Sequence, residues 1–563
     1  MIRSVFSFFV LLGTLAIAVP WALLVLVFGL VLAFVLVTFG FVLGQMLIFG
    51  LDTIDEPNSL FGWLGYAVCV LTGWALVLSV WAEHFGIARL FARTRDSHGS
   101  ARLASKAERR DLAKSESGLL IGRDADSGRL LRYDGPAHLL TLAPTRAGKG
   151  VGTVIPNLLL VPRPMLVIDP KGENARITYK ARRKLGPVHV LDPFGVTGLP
   201  GSAYNPLARL APDSLDLGED AASLAEALVM DPPGETGDAH WNEEAKALLA
   251  GLILFAAVHE TADRRTLTSV REYLTLPPEQ FRALLGLMQE STGAGGLIAR
   301  AANRFLGKAD REAAGVLSSA QRHTHFLDSP RITASLARSD FSFADLRHEV
   351  ASVFLVLPPN RLDAYSRWLR LLVSQALAEI ARDAETAQGA PAAAGAAQRP
   401  QEGSPALREP TLFLLDEFAA LGRLEAVERA MGLMAGYGLQ LWPILQDLSQ
   451  LRALYGPRAN TFVANAGVLQ TFGVNDYETA KALSQLMGQA TTAYATTSHR
   501  PGDPASTTHQ LTGRDLLTPD EIMQMSPHLQ LLRLQGRPMI LARKLRYHAD
   551  PEFRGLFPPH SAP

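Results

Sequence analysis

The stretch Ala143-Pro-Thr-Arg-Ala-Gly-Lys-Gly-Val-Gly152 constrains this chain more than any other. It follows the apolar run Leu139–Leu142 and precedes Val154-Ile-Pro-Asn-Leu-Leu-Leu160. The order reads as strand, tight turn and helix start. Backbone N–H groups in such a turn form an anion nest, and the helix dipole adds to it. Gly148 permits close backbone approach, and Lys149 has the reach for the outer phosphates of a nucleotide. Residues Thr145, Arg146, Ala147, Gly148, Lys149, Gly150 and Val151 are therefore the candidate nucleotide-binding turn. Two positions depart from the usual P-loop. Ala143 stands for its first glycine, and Gly150 stands for the Ser or Thr whose hydroxyl binds Mg²⁺.

A second stretch supplies what the first lacks. Thr411-Leu-Phe-Leu-Leu-Asp416-Glu417 is a short apolar strand ending in two acids, the Walker B arrangement. Asp416 can hold Mg²⁺ directly or through water, and Glu417 can orient or deprotonate an attacking water. Leu439–Leu445 reads as another strand, and it ends in Gln446, placed to sense a γ-phosphate or position water. The alternative for Gln446 is a polar loop residue. Lys149, Asp416, Glu417 and Gln446 are the candidate catalytic set, with Asp416 the candidate Mg²⁺ ligand.

Other apolar runs are spaced to match. Met165–Asp169 and Val188–Asp192 read as buried strands ending in carboxylates, and Val350–Leu357 as a further strand before a helix over Tyr365–Arg382. Strands alternating with helices predict a mainly parallel α/β sheet with ligands at its C-terminal edge. Residues 215–330 show helical apolar spacing without a strand, which predicts an inserted all-α domain. It splits the nucleotide-binding domain into 91–214 and 331–547. Residues 384–410 are rich in Ala, Gly, Pro and Gln and read as a disordered loop. Residues 490–513 read as a hairpin or loop. The Pro-containing tail 548–563 reads as flexible.

Ahead of this lies a different kind of sequence. Residues 4–50 are almost wholly apolar, and Leu60 to Trp81 forms a second such block. A bilayer span needs about 20 residues. The acidic loop 51–58 separates the blocks, and Arg89, Arg93 and Arg95 follow the second. This predicts a transmembrane hairpin over 1–90, of Trp21–Phe49 and Leu60–Trp81, with the basic end in the cytoplasm. Residues 4–19 make a third span or an interfacial helix. The single cysteine, Cys69, excludes intramolecular disulfides and Cys-rich metal sites. With 54 basic and 54 acidic residues, net charge does not announce a nucleic-acid partner. Arg300, Arg304, Lys308, Arg311 and Arg322 give the helical region local basic character, read equally as DNA contact or as a solvated face.

In sum of motifs the chain resembles the TraG/VirD-type coupling proteins of type IV secretion and conjugation. The resemblance rests on His98-Gly-Ser-Ala, Pro144–Gly152, Ile155-Pro-Asn-Leu, Ile168-Asp-Pro-Lys-Gly-Glu-Asn174 and Leu191-Asp-Pro-Phe194. It continues through Tyr204-Asn-Pro-Leu207, Leu415-Asp-Glu-Phe418, Ile444–Leu451 and Gly473-Val-Asn-Asp476. It implies a RecA-like P-loop ATPase of the bacterial inner membrane, multi-pass, with its ATPase domain in the cytoplasm. It implies ATP and Mg²⁺, and assembly as a hexamer at a secretion channel. The substrates implied are relaxase-bound DNA, read without sequence specificity, and protein. Gly150 is common to this family branch. Ala435-Gly-Tyr-Gly438 lacks the arginine that some relatives carry there, which leaves Arg423, Arg458 and Arg514 as candidates for a finger reaching a neighbouring subunit. A receptor that recruits protein effectors, with little DNA role, is the competing reading.

Overall fold

The computed structural model describes residues 96–230, 239–389, 407, 409–498 and 506–559. The expected membrane segments and Cys69 lie outside these residues. Among the described residues, no helix is long and apolar enough to cross a membrane.

Thirteen strands are present among the described residues. They are β1 (Leu119–Asp124), β2 (Leu130–Tyr133), β3 (His138–Leu142), β4 (Met165–Ile168), β5 (Val188–Leu191), β6 (Ser352–Leu355) and β7 (Thr411–Leu415). They continue with β8 (Leu439–Leu445), β9 (Ala466–Phe472), β10 (Gln489–Ser498), β11 (Ser506–Asp515), β12 (Leu529–Leu534) and β13 (Ile540–Arg543). One sheet holds eleven of them in the order β2-β1-β13-β12-β9-β3-β8-β7-β4-β6-β5. From β9 to β5 every pairing is parallel. The arm β2-β1-β13-β12 is antiparallel and joins the parallel part through β9. The mainly parallel expectation therefore holds for seven strands, and the antiparallel arm is an addition to it.

The central strands are apolar on both faces because both faces are covered. Along β7, Leu412 and Leu414 pack into one apolar cluster, while Phe413 and Leu415 pack into the other. In β4, Met165 and Val167 alternate with Leu166 and Ile168 in the same way. On one face lie the helices Ile155–Leu160 and Glu173–Arg183, through Leu158 and Ala175. Against the other packs the helix Leu362–Gly389, through Trp368, Leu372 and Ala376.

Between β5 and β6 the described chain is helical: Leu217–Leu228, Ala239–His259, Leu267–Leu274, Pro278–Glu290, Leu297–Leu306, Asp310–Thr324 and Pro330–Ser335. Its apolar residues, Leu252, Met288 and Phe305 among them, run continuously into the cluster under the sheet. The segment Tyr204–Leu207 ties the two regions together. Tyr204 is fully buried and donates its hydroxyl to Glu379 of the long helix. The other Glu379 oxygen accepts from Arg209 (2.7 Å), Ser342 Oγ (3.0 Å) and the Phe343 N–H (2.9 Å).

Two expectations need correction. The helix Leu362–Gly389 runs through residues 384–389, which were expected to open a disordered loop. Ala384 is buried and anchors the start of this stretch, from which the helix runs on through the exposed Glu385 and Thr386. At the far end the Pro410 carbonyl accepts from Arg163 at 3.0 Å. Residues 390–406 lie outside those described. The tail, expected to be flexible from residue 548, is docked as far as residue 559. Phe553 is fully buried, and Arg123 pairs with Asp550 (3.1 Å) and Glu552 (2.9 Å). The helix Lys106–Lys114 is also docked. Ser105 and Glu108 form a capping box, and Arg109 reaches the buried Asp124 at 2.6 Å.

Residues 96–100 and 490–514 form a separate compact unit among the described residues. In it β10 and β11 pair as a hairpin, which decides between the two sequence readings of 490–513. The segment around His98 adds to it: Ser100 bridges Ala490, and the Thr491 N–H donates to the Gly99 carbonyl at 3.0 Å.

The docked tail has a direct test. Phe553→Ala should destabilise the protein by about 3–5 kcal/mol, as for other buried aromatic truncations. A lowered melting temperature by circular dichroism, with earlier proteolysis after residue 540, checks it.

Candidate nucleotide-binding site

β3 ends at Leu142, and the turn begins with the Ala143 N–H donating to the Leu445 carbonyl of β8 at 2.8 Å. Arg146 then adopts φ +64° and Gly148 φ +91°. Left-handed backbone at a non-glycine residue costs about 1–3 kcal/mol and marks a turn shaped for something other than stability. The helix that follows starts with one widened turn, Gly150–Val154, in which the Ile155 N–H reaches back to the Gly150 carbonyl. Such widened turns recur at functional sites. Gly152 is needed by space: a Cβ there would sit 3.0 Å from the Leu545 carbonyl oxygen and 3.3 Å from the Phe472 ring.

The sheet order places β8 between β3 and β7, with β4 on the far side of β7. All four strands run parallel, so their C-terminal ends meet at one edge. Lys149 comes from the end of β3, Gln446 from β8, Asp416 and Glu417 from β7, and Asp169 from β4. The Lys149 ammonium lies 2.9 Å from Asp416 Oδ1 and 2.8 Å from Glu417 Oε2. Gln446 Nε2 donates to Glu417 Oε1 at 3.4 Å. Glu417 is itself left-handed, at φ +59°. The structure thus brings all four candidate catalytic side chains together. Thr145, Arg146, Gly148, Lys149, Gly150 and Val151 line one cavity of about 1150 Å³ with Asp169, Asp416, Glu417 and Tyr547.

The electrostatics follow from burial. Burial pushes the Lys149 ammonium down, but Asp416 and Glu417 more than offset it, so its pKa ends above the ordinary lysine value. Burial pushes the Asp416 carboxyl up, against the pull of Lys149. Asp169 is pushed up to about 7, chiefly by burial, against N–H groups from Ala175 and Asn174. The Lys149 ammonium pairs with two of the three carboxylates and, among the described residues, leaves Asp169 without an ion pair, so a cation has a place here. Hard oxygen donors suit Mg²⁺, which takes one or two protein carboxylates and fills its remaining positions with phosphate and water. No group of three or more His, Cys, Asp or Glu residues arranged around a metal is found among the described residues.

Residues 102–560 match the family described as Type IV secretory system Conjugative DNA transfer. The chain belongs to that family. It is 32% identical over 512 residues to conjugal transfer protein TraG of Escherichia coli, covering 81% of this chain and 77% of TraG. It is 29% identical over 518 residues to VirD4 of Agrobacterium fabrum (strain C58), covering 88% of this chain and 71% of VirD4. Among solved structures, the bacterial conjugative coupling protein TrwB superposes with a TM-score of 0.57 at 18% identity, over 79% of this chain and 92% of TrwB. TrwB structures contain the ATP analogue ADPNP, and ADP with Mg²⁺. The likeness shows that this chain shares the fold of TrwB.

Within this coupling-family site, sequence reasoning missed three contributions. Asp169 was visible as a strand-end carboxylate, but not its place beside Asp416. Lys544, after β13, donates to the Ala147 carbonyl of the turn at 3.0 Å and stands 4.6 Å from the Phe472 ring centre. A buried polar network was also silent in the sequence. Gln470 Oε1 accepts from Thr141 (2.8 Å) and Thr153 (3.1 Å), while its amide donates to Gln530 Oε1 (2.9 Å). Trp442 closes the network by donating to Thr141 Oγ1 at 2.8 Å.

The candidate arginine fingers have partners on their own chain. Arg423 lies 3.4 Å from Glu425, Arg458 lies 2.8 Å from Glu428, and Arg514 belongs to β11. In the helical region Arg304 and Lys308 both pair with Glu244, at 2.6 and 2.8 Å, and Lys308 also pairs with Glu312 at 2.7 Å. Arg300, Arg311 and Arg322 remain exposed.

Lys544 gives a pH prediction. Burial, with Arg546 nearby, lowers its pKa from 10.5 to about 8. Between those two values the unfolded chain holds more protons than the folded one. Stability therefore rises with pH across that window. Melting temperatures at pH 7.5 and 9.5 should show this contribution in the native protein and lose it in Lys544→Met, which should also bind ADP several-fold more weakly.

Proposed function

We propose that this protein is the coupling ATPase of a conjugative type IV secretion system, driving DNA transfer by ATP hydrolysis. The observation that carries this is the Lys149 ammonium held between Asp416 and Glu417 in the cavity lined by the turn Thr145–Val151. Without phosphate, Lys149 rests on the two carboxylates. With ATP, it turns to the β- and γ-phosphates and frees both acids. Glu417 then orients and deprotonates the attacking water, at a carboxylate already fixed by Gln446. Gln446 reports the state of the γ-phosphate to the loop after β8. Bound Mg²⁺, held through Asp416, supplies neutralisation of the phosphate charge. The turn from Thr145 to Val151 fixes the phosphates through its backbone. The gain is positioning and charge stabilisation, which dominate phosphoryl transfer.

The remaining features belong to the same reading. Residues 1–90 anchor the chain in the bacterial inner membrane as a helical hairpin, with the ATPase domain in the cytoplasm. Residues 215–330 act as an all-α domain inserted in the nucleotide-binding domain. The working form is a homo-hexamer at the secretion channel, receiving relaxase-bound DNA without sequence specificity, and protein substrates. What supports this is family membership over residues 102–560 and the TraG and VirD4 relatives. The pairing of Arg304 and Lys308 with Glu244 favours a second reading for the helical region, recruitment of protein substrates in place of DNA.

Full-length protein in lipid nanodiscs tests both. Hydrolysis should be stimulated by single-stranded DNA and fall at least 10²-fold in Glu417→Gln and in Lys149→Ala. The stimulation should decline steeply with salt, as for any phosphate-backbone contact. Wild-type turnover in Lys149→Ala would remove the ATPase assignment. Turnover indifferent to DNA, with no DNA binding at low salt, would favour the protein-recruiting reading.

A further inference from the structure

The P-loop of this chain lacks the hydroxyl that normally helps hold Mg²⁺, because residue 150 is glycine. The structure offers a replacement on the neighbouring strand. β4 and β7 are paired in parallel, with Ile168 opposite Leu415. The next residue on each strand is an aspartate, so Asp169 and Asp416 stand side by side where the strands end. Adjacent strand backbones lie about 4.8 Å apart, and both aspartates line the same cavity.

Asp169 is as buried as the core, at 1% exposure, yet lines the nucleotide cavity with Lys149, Asp416 and Glu417. Its Oδ2 accepts the Ala175 N–H at 2.8 Å, which fixes the orientation of the carboxylate. Lys149 is committed to Asp416 and Glu417, and among the described residues no cationic side chain forms an ion pair with Asp169. A core carboxylate that caps one helix needs no place in a nucleotide cavity. Resting on the ATPase reading above, we propose that Asp169 is a positioning carboxylate for Mg²⁺, acting with Asp416 in place of the hydroxyl absent at Gly150.

The test compares affinity for a fluorescent ADP in Mg²⁺ and in EDTA, using full-length protein in nanodiscs. The ratio of the two affinities isolates the cation. Manganese electron paramagnetic resonance on the ADP complex reads the metal directly. Asp169→Asn keeps an oxygen acceptor for the Ala175 N–H, so folding is checked by its melting temperature. It should reduce the Mg²⁺ ratio at least tenfold, the scale of lost metal-orienting groups, and broaden or abolish the manganese signal. Gly150→Ser added to it should restore both. A ratio and manganese signal retained in Asp169→Asn would make Asp169 a helix cap only and overturn the proposal. If Asp169→Asn does not fold, Asp169→Glu decides in the same way, since it keeps the charge and displaces the carboxylate. Wild-type protein that binds no ADP would overturn the ATPase reading itself, an outcome distinct from a retained ratio.

Discussion

Everything at this site depends on four parallel strands ending in register. β3, β8, β7 and β4 are neighbours, so an ammonium, an amide and three carboxylates emerge along one edge. Side chains alternate faces with period two, so a slip of one residue in any strand would send its functional group to the wrong side. Register is protected because both faces are buried. Phe413 and Leu415 cannot exchange with Leu412 and Leu414 without emptying two cores at once. The charges are then affordable only as a set. Asp416 is buried and its ion pair is with Lys149, so removing the ammonium with nothing in its place would leave a buried carboxylate unpaired.

The antiparallel arm has a physical role beyond widening the sheet. Gln470 of β9 bridges Thr141 of β3, Thr153 of the helix after the turn, and Gln530 of β12. Gln530 in turn donates to the Ile121 carbonyl of β1 at 3.0 Å. At Gly122, φ +153°, a Cβ would overlap the Gln530 amide nitrogen and push it out of the network. Asn157 completes the clamp by accepting the Leu120 N–H at 2.8 Å and donating to the Leu120 carbonyl at 2.9 Å. A buried network with every partner present is stiff, because breaking one bond strands two polar groups in low dielectric. The phosphate-binding turn is therefore held from behind by strands that carry no catalytic residue.

What the sequence made legible was local. Short apolar runs ending in acids at Asp169 and Asp416 announce buried parallel strands. Glycine and lysine spacing at 148–150 announces the turn, and apolar periodicity announces the helices between β5 and β6. What stayed hidden depends on contacts between residues far apart in the chain. Nothing in Leu529–Arg543 says that those strands pair antiparallel beyond β9. Nothing in Lys544 says that its ammonium meets the Ala147 carbonyl. The tail looks loose because four of its residues are proline, yet Phe553 has a place to insert. The adjacency of Asp169 and Asp416 required the strand order, which no single stretch encodes.

The reach of the last residues back to the turn bears on how the protein is made. The Val151 region touches Leu545 and Tyr547, and Pro558 lines the nucleotide cavity. A ribosome adds about 5–20 residues per second. The interval between synthesis of Lys149 and of this closing segment is then roughly 20–80 s. For that time the nascent chain holds an unfinished phosphate site whose back wall does not yet exist. The wall that Tyr547 and Pro558 give the cavity is thus added only after every strand of the site has been made.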